Sequence, residues 1–146
     1  YSAIIANFSK FTNPKLQNKD YFVAALKNEK DHKAFLKSAL GSKTPAEPTF
    51  KIPASVTKTG QSLLNTGVAL ETAFVEAYLG AVETLSSTDL KVIAAKVAAN
   101  EATHFSFFDA AAGPGPGNLG GHGVLPSLPS TATIPATVKK LQPFLG

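Results

Sequence analysis

Cysteine is absent from the chain, which excludes disulfide bridges and thiolate metal sites without fixing the compartment. Arginine is absent too, and all fourteen basic residues are lysine. Without the guanidinium fork that reads phosphates and base edges in two-point contacts, specific nucleic-acid binding is not expected. No apolar run approaches the roughly 18 residues of a membrane-spanning helix, so no membrane span is expected. No acidic residue precedes Asp20, and ten of the lysines fall between Lys10 and Lys58. Such a basic half reads first as solvated surface. Loose attraction to an anionic lipid or polyphosphate surface is the sharper alternative. The chain starts at Tyr1 with no visible targeting segment, as a processed or partial sequence would, and the expected location is secreted or extracellular.

The residues that are present suit one globular core. Of 146 residues, 44% are hydrophobic and 16% charged, too apolar a balance for disorder. Apolar residues recur at helical spacing, predicting helices over 2–11, 20–40, 55–86, 88–112 and 133–145. Asp20 is the expected cap of the second helix, and Ser87 or Thr88 that of the fourth. Residues 41–54 carry three prolines and no helical period. They are long enough to run the length of a bundle and join two parallel helices. Residues 113–123 form a Gly/Pro-rich link in which His122 stands without a partner motif. The expected division is a helical bundle over 1–112 and an extension over 113–146 with one short helix. No convincing strand is found.

Within the third helix, Leu64, Val68, Phe74, Val75, Tyr78, Val82 and Leu85 make an apolar stripe, and Glu71 falls in its middle. A carboxylate aimed into a core must be paired, protonated or bound to a metal. The stripe of the second helix (Phe22, Leu26, Leu36, Leu40) holds Glu29, with His32 three residues on. That of the fourth (Leu90, Ala94, Val97, Phe105, Phe108) holds Glu101, with His104 three residues on. Two core-facing Glu-x-x-His pairs with an inward glutamate between them form the pattern of di-metal carboxylate bundles. There, anionic oxygens bridge adjacent cations and imidazoles fill the remaining positions. The bland alternative is that these residues pair with lysines or cap helices.

The segments Ala25–Leu36, Leu70–Ala81 and 100–104 (Asn-Glu-Ala-Thr-His) resemble the ferritin-like family that includes plant desiccation-related, fungal stress-response and bacterial proteins. The resemblance covers about residues 1–112. It implies an all-α, ferritin-like four-helix bundle with a short first helix and a long crossover between the second and third helices. It also implies metal ligands at Glu29, His32, Glu71, Glu101 and His104, with iron or manganese as the cofactor, or none. The family's first helix carries a further glutamate followed by an aromatic residue. The matching place here looks like Asn7-Phe8, which leaves five of six ligands and an incomplete di-metal site.

Two functions follow. One is a metal-binding, oxidative ferritin-like protein. The other is a non-enzymatic stress-related or binding protein that keeps a vestigial site. Whether the chain is an enzyme stays open at this level. A first helix of only about 15 Å leaves part of a groove uncovered. Such a strip implies either a homodimer across the groove or a tail, residues 124–145, folded back over it.

Overall fold

The computed structural model describes residues 1–12, 18–113, 125–127 and 129–145; the expectations for His122, Val124 and Leu128 lie outside them. Helix α1 (Ser2–Ala6) continues into a 3-10 turn at Phe8–Lys10. Helices α2 (Lys19–Leu40), α3 (Gly60–Thr84) and α4 (Thr88–Ala112) are the long elements. The short α5 (Ile134–Leu141) follows near the end of the chain. Among the described residues there is no strand, only a lone antiparallel bridge between Phe50 and Leu145. The architecture is an all-helical, ferritin-like bundle.

Local chemistry sets the helix ends. Asn18, rather than Asp20, caps α2, its side chain accepting from the Tyr21 amide at 3.2 Å. Asp20 sits in the first turn, where its charge complements the helix dipole. Thr59 caps α3 by accepting from the Ser62 amide at 3.0 Å, so this helix starts later than the apolar period suggests. Ser87 caps α4 as expected. Only residues 85–87 separate α3 from α4, so the two pack antiparallel and share the most extensive contact in the chain.

One end of the bundle is an aromatic core. Phe22 is fully buried and meets the rings of Tyr1, Phe8, Phe11, Tyr21, Phe107 and Phe108. Phe108 lies directly against α3. A Cβ added to Gly67 would come within 2.3 Å of its ring, so the glycine that weakens α3 as a helix former admits the ring.

The other end departs from expectation. Leu36 and Leu40 of α2 are 38% and 46% exposed, and Leu90 of α4 is 38% exposed. Their stripes are apolar as predicted, but α1 packs at the Phe22 end of α2, and these leucines stay uncovered among the described residues. The tail does fold back, onto α3. The Ala132 amide donates to the Glu76 carbonyl at 2.9 Å, and the Ser130 hydroxyl donates to Glu76 Oε1 at 2.7 Å. Lys140 pairs with the same carboxylate. Gly80 makes room for the crossing, since a Cβ there would lie 2.2 Å from the Ala132 carbonyl oxygen. Ile134 and Val138 remain exposed, so the tail covers only an edge of the open end.

Candidate metal centre

Helices α2, α3 and α4 each turn a carboxylate inward at the boundary between the two ends. The i, i+3 spacing sets His32 beside Glu29 and His104 beside Glu101 on single helix faces. The packing of the three helices then brings both pairs against Glu71. Glu71, Glu101 and His104 are 3%, 1% and 2% exposed, while Glu29 and His32 are less deeply covered. One donor atom from each of Glu29, Glu71, Glu101 and His104 falls within 4.8 Å of all the others. His104 Nδ1 lies 3.1 Å from Glu29 Oε1, 3.2 Å from Glu101 Oε2 and 3.9 Å from Glu71 Oε2. His32 stands at the rim, its Nδ1 3.1 Å from Glu101 Oε1 and 3.7 Å from Glu29 Oε2, outside the four-residue set.

Electrostatics in the cluster follow from burial and crowding. Burial, reinforced by the Glu101 and Glu29 charges, pushes the Glu71 carboxyl up to about 8, although the Tyr1 hydrogen bond opposes the shift. Burial works against the His104 cation, but hydrogen bonding to Glu101 and Glu29 overcomes it and lifts the imidazole to about 9. Glu29 resists its own desolvation and is held below the usual carboxylate range, mainly by His104. Beside the cluster, burial and the charges of Glu101 and Glu29 move the Tyr78 phenol to about 12.

The sequence expectation about the first helix is not met. Asn7 donates its side-chain N–H to the Ala3 carbonyl of its own helix at 2.8 Å. The group that reaches the cluster is Tyr1, whose hydroxyl donates to Glu71 Oε1 at 2.6 Å and whose ring lies edge-on to His104. Six residues separate Tyr1 from Asn7, about 9 Å of helical rise, so only one of them can face the site. Asn28 was also missed: its Nδ2 lies 3.3 Å from His104 Nε2. The amide of Asn28 thus sits at Nε2, which leaves Nδ1 as the ring nitrogen that faces the carboxylates. No periodic signal marks Tyr1, because its contact crosses 70 positions. Asn28 differs, since it directly precedes Glu29 in a segment already singled out.

The donor set fits a cation. Glu29 Oε1, Glu71 Oε2 and His32 Nδ1 are buried without a hydrogen-bond partner, although each has a charged or ring atom close by. Buried polar atoms of this kind are costly unless something completes them. Carboxylate oxygens with imidazole nitrogen, and no sulfur, suit a divalent first-row metal. A cavity of about 620 Å³ opens on the Glu29, His32 and Glu101 side, giving access from solvent.

Comparison with curated proteins returned no match. A family model described as a ferritin-like domain matches residues 1–114 of the 146. The matched span contains the four bundle elements, both Glu-x-x-His pairs and Glu71. Three inward carboxylates and a buried histidine on packed helices thus sit inside a match that covers most of the sequence, and the chain belongs to the ferritin-like domain family.

Proposed function

We propose that this protein binds a divalent transition metal, iron or manganese, through Glu29, Glu71, Glu101 and His104, with His32 as a further nitrogen donor at the rim. The observation that carries this reading is the convergence of donor atoms from Glu29, Glu71, Glu101 and His104 within 4.8 Å of one another, with one buried oxygen each on Glu29 and Glu71 lacking a hydrogen-bond partner. A bound iron or manganese ion would supply Lewis acidity and one-electron redox chemistry. The chain's own residues do the rest. Tyr1 fixes the rotamer of Glu71 through its hydroxyl, and Asn28 fixes the ring of His104. Phe22, Phe105 and Phe108, each at most 1% exposed, keep water off the inner face, which strengthens every electrostatic contact there. The proton on His104 Nδ1 occupies the direction a cation would take, so binding must release it.

A second reading is supported by the same proton. A charged His104 among three carboxylates and a Tyr1 hydroxyl on Glu71 let the cluster neutralise itself without metal. The protein would then be a non-enzymatic member of its family, with a stress-related or binding role carried by its surface. Metal analysis of purified chain, followed by manganese titration of wild type and Glu71→Gln, separates the two. The metal reading expects one ion per chain, a rise in melting temperature with manganese, and at least tenfold weaker binding in the variant. Metal-free protein whose melting point ignores manganese, iron and chelator would defeat it in favour of the second.

A further inference from the structure

Two hollows lie side by side at the open end of the bundle. The first, about 620 Å³, is floored by Glu29, His32 and Glu101 and bounded on another side by Pro45, Pro48 and Phe50 of the crossover. The second, about 460 Å³, runs between α2, α3 and α4 past Ala39, Ala81, Leu90 and Ile93, with Ile134 of the tail at its edge. They share Leu36, Leu40, Phe74 and Tyr78, so they form one trench. Each volume lies in the range of small-molecule sites. The crossover makes the trench a hollow with several walls instead of a flat helix face.

Charge selects the occupant. The second hollow has scarcely a polar group beyond the Tyr78 phenol, which suits an unbranched hydrocarbon chain. Lys33 and Lys37 line the first hollow. Lys33 is taken by Glu47 of the crossover, whereas the Lys37 ammonium enters no ion pair among the described residues. Glu29 and Glu101 at the floor repel an anion, so a negative head settles at Lys37 and the chain runs away from the cluster. We propose that the trench binds a single-chain anionic amphiphile, a long-chain carboxylate. Its head would sit on Lys37 and its tail would lie along Leu36, Leu40, Phe74 and Tyr78 toward Ile134. This inference does not rest on metal being bound.

The test uses the full chain in metal-free buffer, titrated below micellar concentrations with dodecanoate, dodecanol and dodecyltrimethylammonium. Native mass spectrometry gives stoichiometry and calorimetry gives affinity. One dodecanoate per chain is expected, with the alcohol about fivefold weaker, as for one exposed charge pair, and the cation weaker still. Removing two methylenes, to decanoate, should cost up to about fifteenfold. Ala39→Trp adds a ring at an exposed position on the trench wall, where the core is undisturbed, and should weaken all three probes at least tenfold. Lys37→Glu should abolish the preference for carboxylate over alcohol while sparing the alcohol. Circular dichroism confirms that both variants are folded. Absence of saturable binding, or binding unmoved by Ala39→Trp, would overturn the site. Equal affinity for the three heads would overturn the anionic class. A stable dimer by light scattering that excludes dodecanoate, and that Ala39→Trp splits, would give the trench to a second copy of the chain.

Discussion

The two ends of α2 carry the same kind of side chain at the same spacing and meet opposite fates. Phe22 is sealed among six aromatic neighbours and core residues of three helices, whereas Leu36 and Leu40, four to five turns later, lie open to solvent. Nothing in the helix itself differs enough to explain this. What differs is the element across from it: α1 and its 3-10 extension pack over the first turns of α2 and stop. Periodicity decides which face of a helix is apolar, and the neighbour decides whether that face is a core or a binding surface. The carboxylate cluster sits where one regime gives way to the other, with Glu71 on the dry side and Glu29, His32 and Glu101 toward the cavity.

The contrast can be broken most severely from the dry end. Phe108→Ala should destabilise the chain by about 3–5 kcal/mol, as a large cavity in an aromatic core does. Leu36→Ala at the open end should cost under about 1 kcal/mol, because that side chain is already partly in water. Chemical denaturation of the two variants measures the difference, and equal costs would mean that the open end is covered in solution.

A smaller effect lies at the boundary. Glu71 has its folded-state pKa raised from 4.5 to about 8, so the fold holds its proton more tightly than the unfolded chain does. His104 is raised from 6.5 to about 9, a stabilisation present below the unfolded value and lost as pH climbs through the folded one. Both signs agree. Metal-free protein should lose a few kcal/mol between about pH 5 and 9. Glu29, lowered by His104, opposes this only on the acid side, losing its contribution as pH falls below the ordinary carboxylate range. Glu71→Gln should flatten part of the alkaline loss, since the amide stands in for the protonated acid. Melting curves across pH, with and without manganese, would show it. Metal should raise the melting point more at pH 8 than at pH 6, because its ligands must be deprotonated.

How much of this was legible in the sequence depends on whether a residue's role lies along its own helix or across a gap. Glu29, Glu71 and Glu101 could be placed inward because each interrupts an apolar stripe, and the two histidines because three residues is nearly one turn. Tyr1 could not, since no pattern near position 1 refers to Glu71. Asn7 was assigned its place by analogy with a motif, and the register was wrong by nearly two turns. Glu76 lies off the apolar stripe of α3, and no pattern announces its partners Ser130, Ala132 and Lys140, because a tail's docking site has no period. Gly67 and Gly80 are poor helix formers, and each marks a place where another part of the chain comes too close for a Cβ.

The smallest expected effect concerns that tail. Glu76→Ala removes the acceptor for Ser130 and Lys140 but keeps the backbone bond to Ala132. It should cost about 1 kcal/mol, in line with one partly exposed charged hydrogen-bonded group. Gly80→Ala should go further and lift the crossing off α3. Hydrogen exchange at the Ala132 amide, now tied to the Glu76 carbonyl, should quicken modestly in the first variant and approach the unprotected rate in the second.

Glu71 and Glu76 stand five residues apart on one helix, about 140° around its axis, so α3 shows one carboxylate to the cluster and the other to the tail. A rigid rod gripped from two sides transmits torque. If seating the tail favours one rotation of α3, it favours one position of Glu71, and whatever free energy the tail contributes to cation binding, the cation returns to tail docking in equal measure. Loading the cluster should then slow exchange at Ala132, whose amide is tied to Glu76 and not to a ligand residue. The C-terminal segment thereby becomes a reporter on the centre of the bundle.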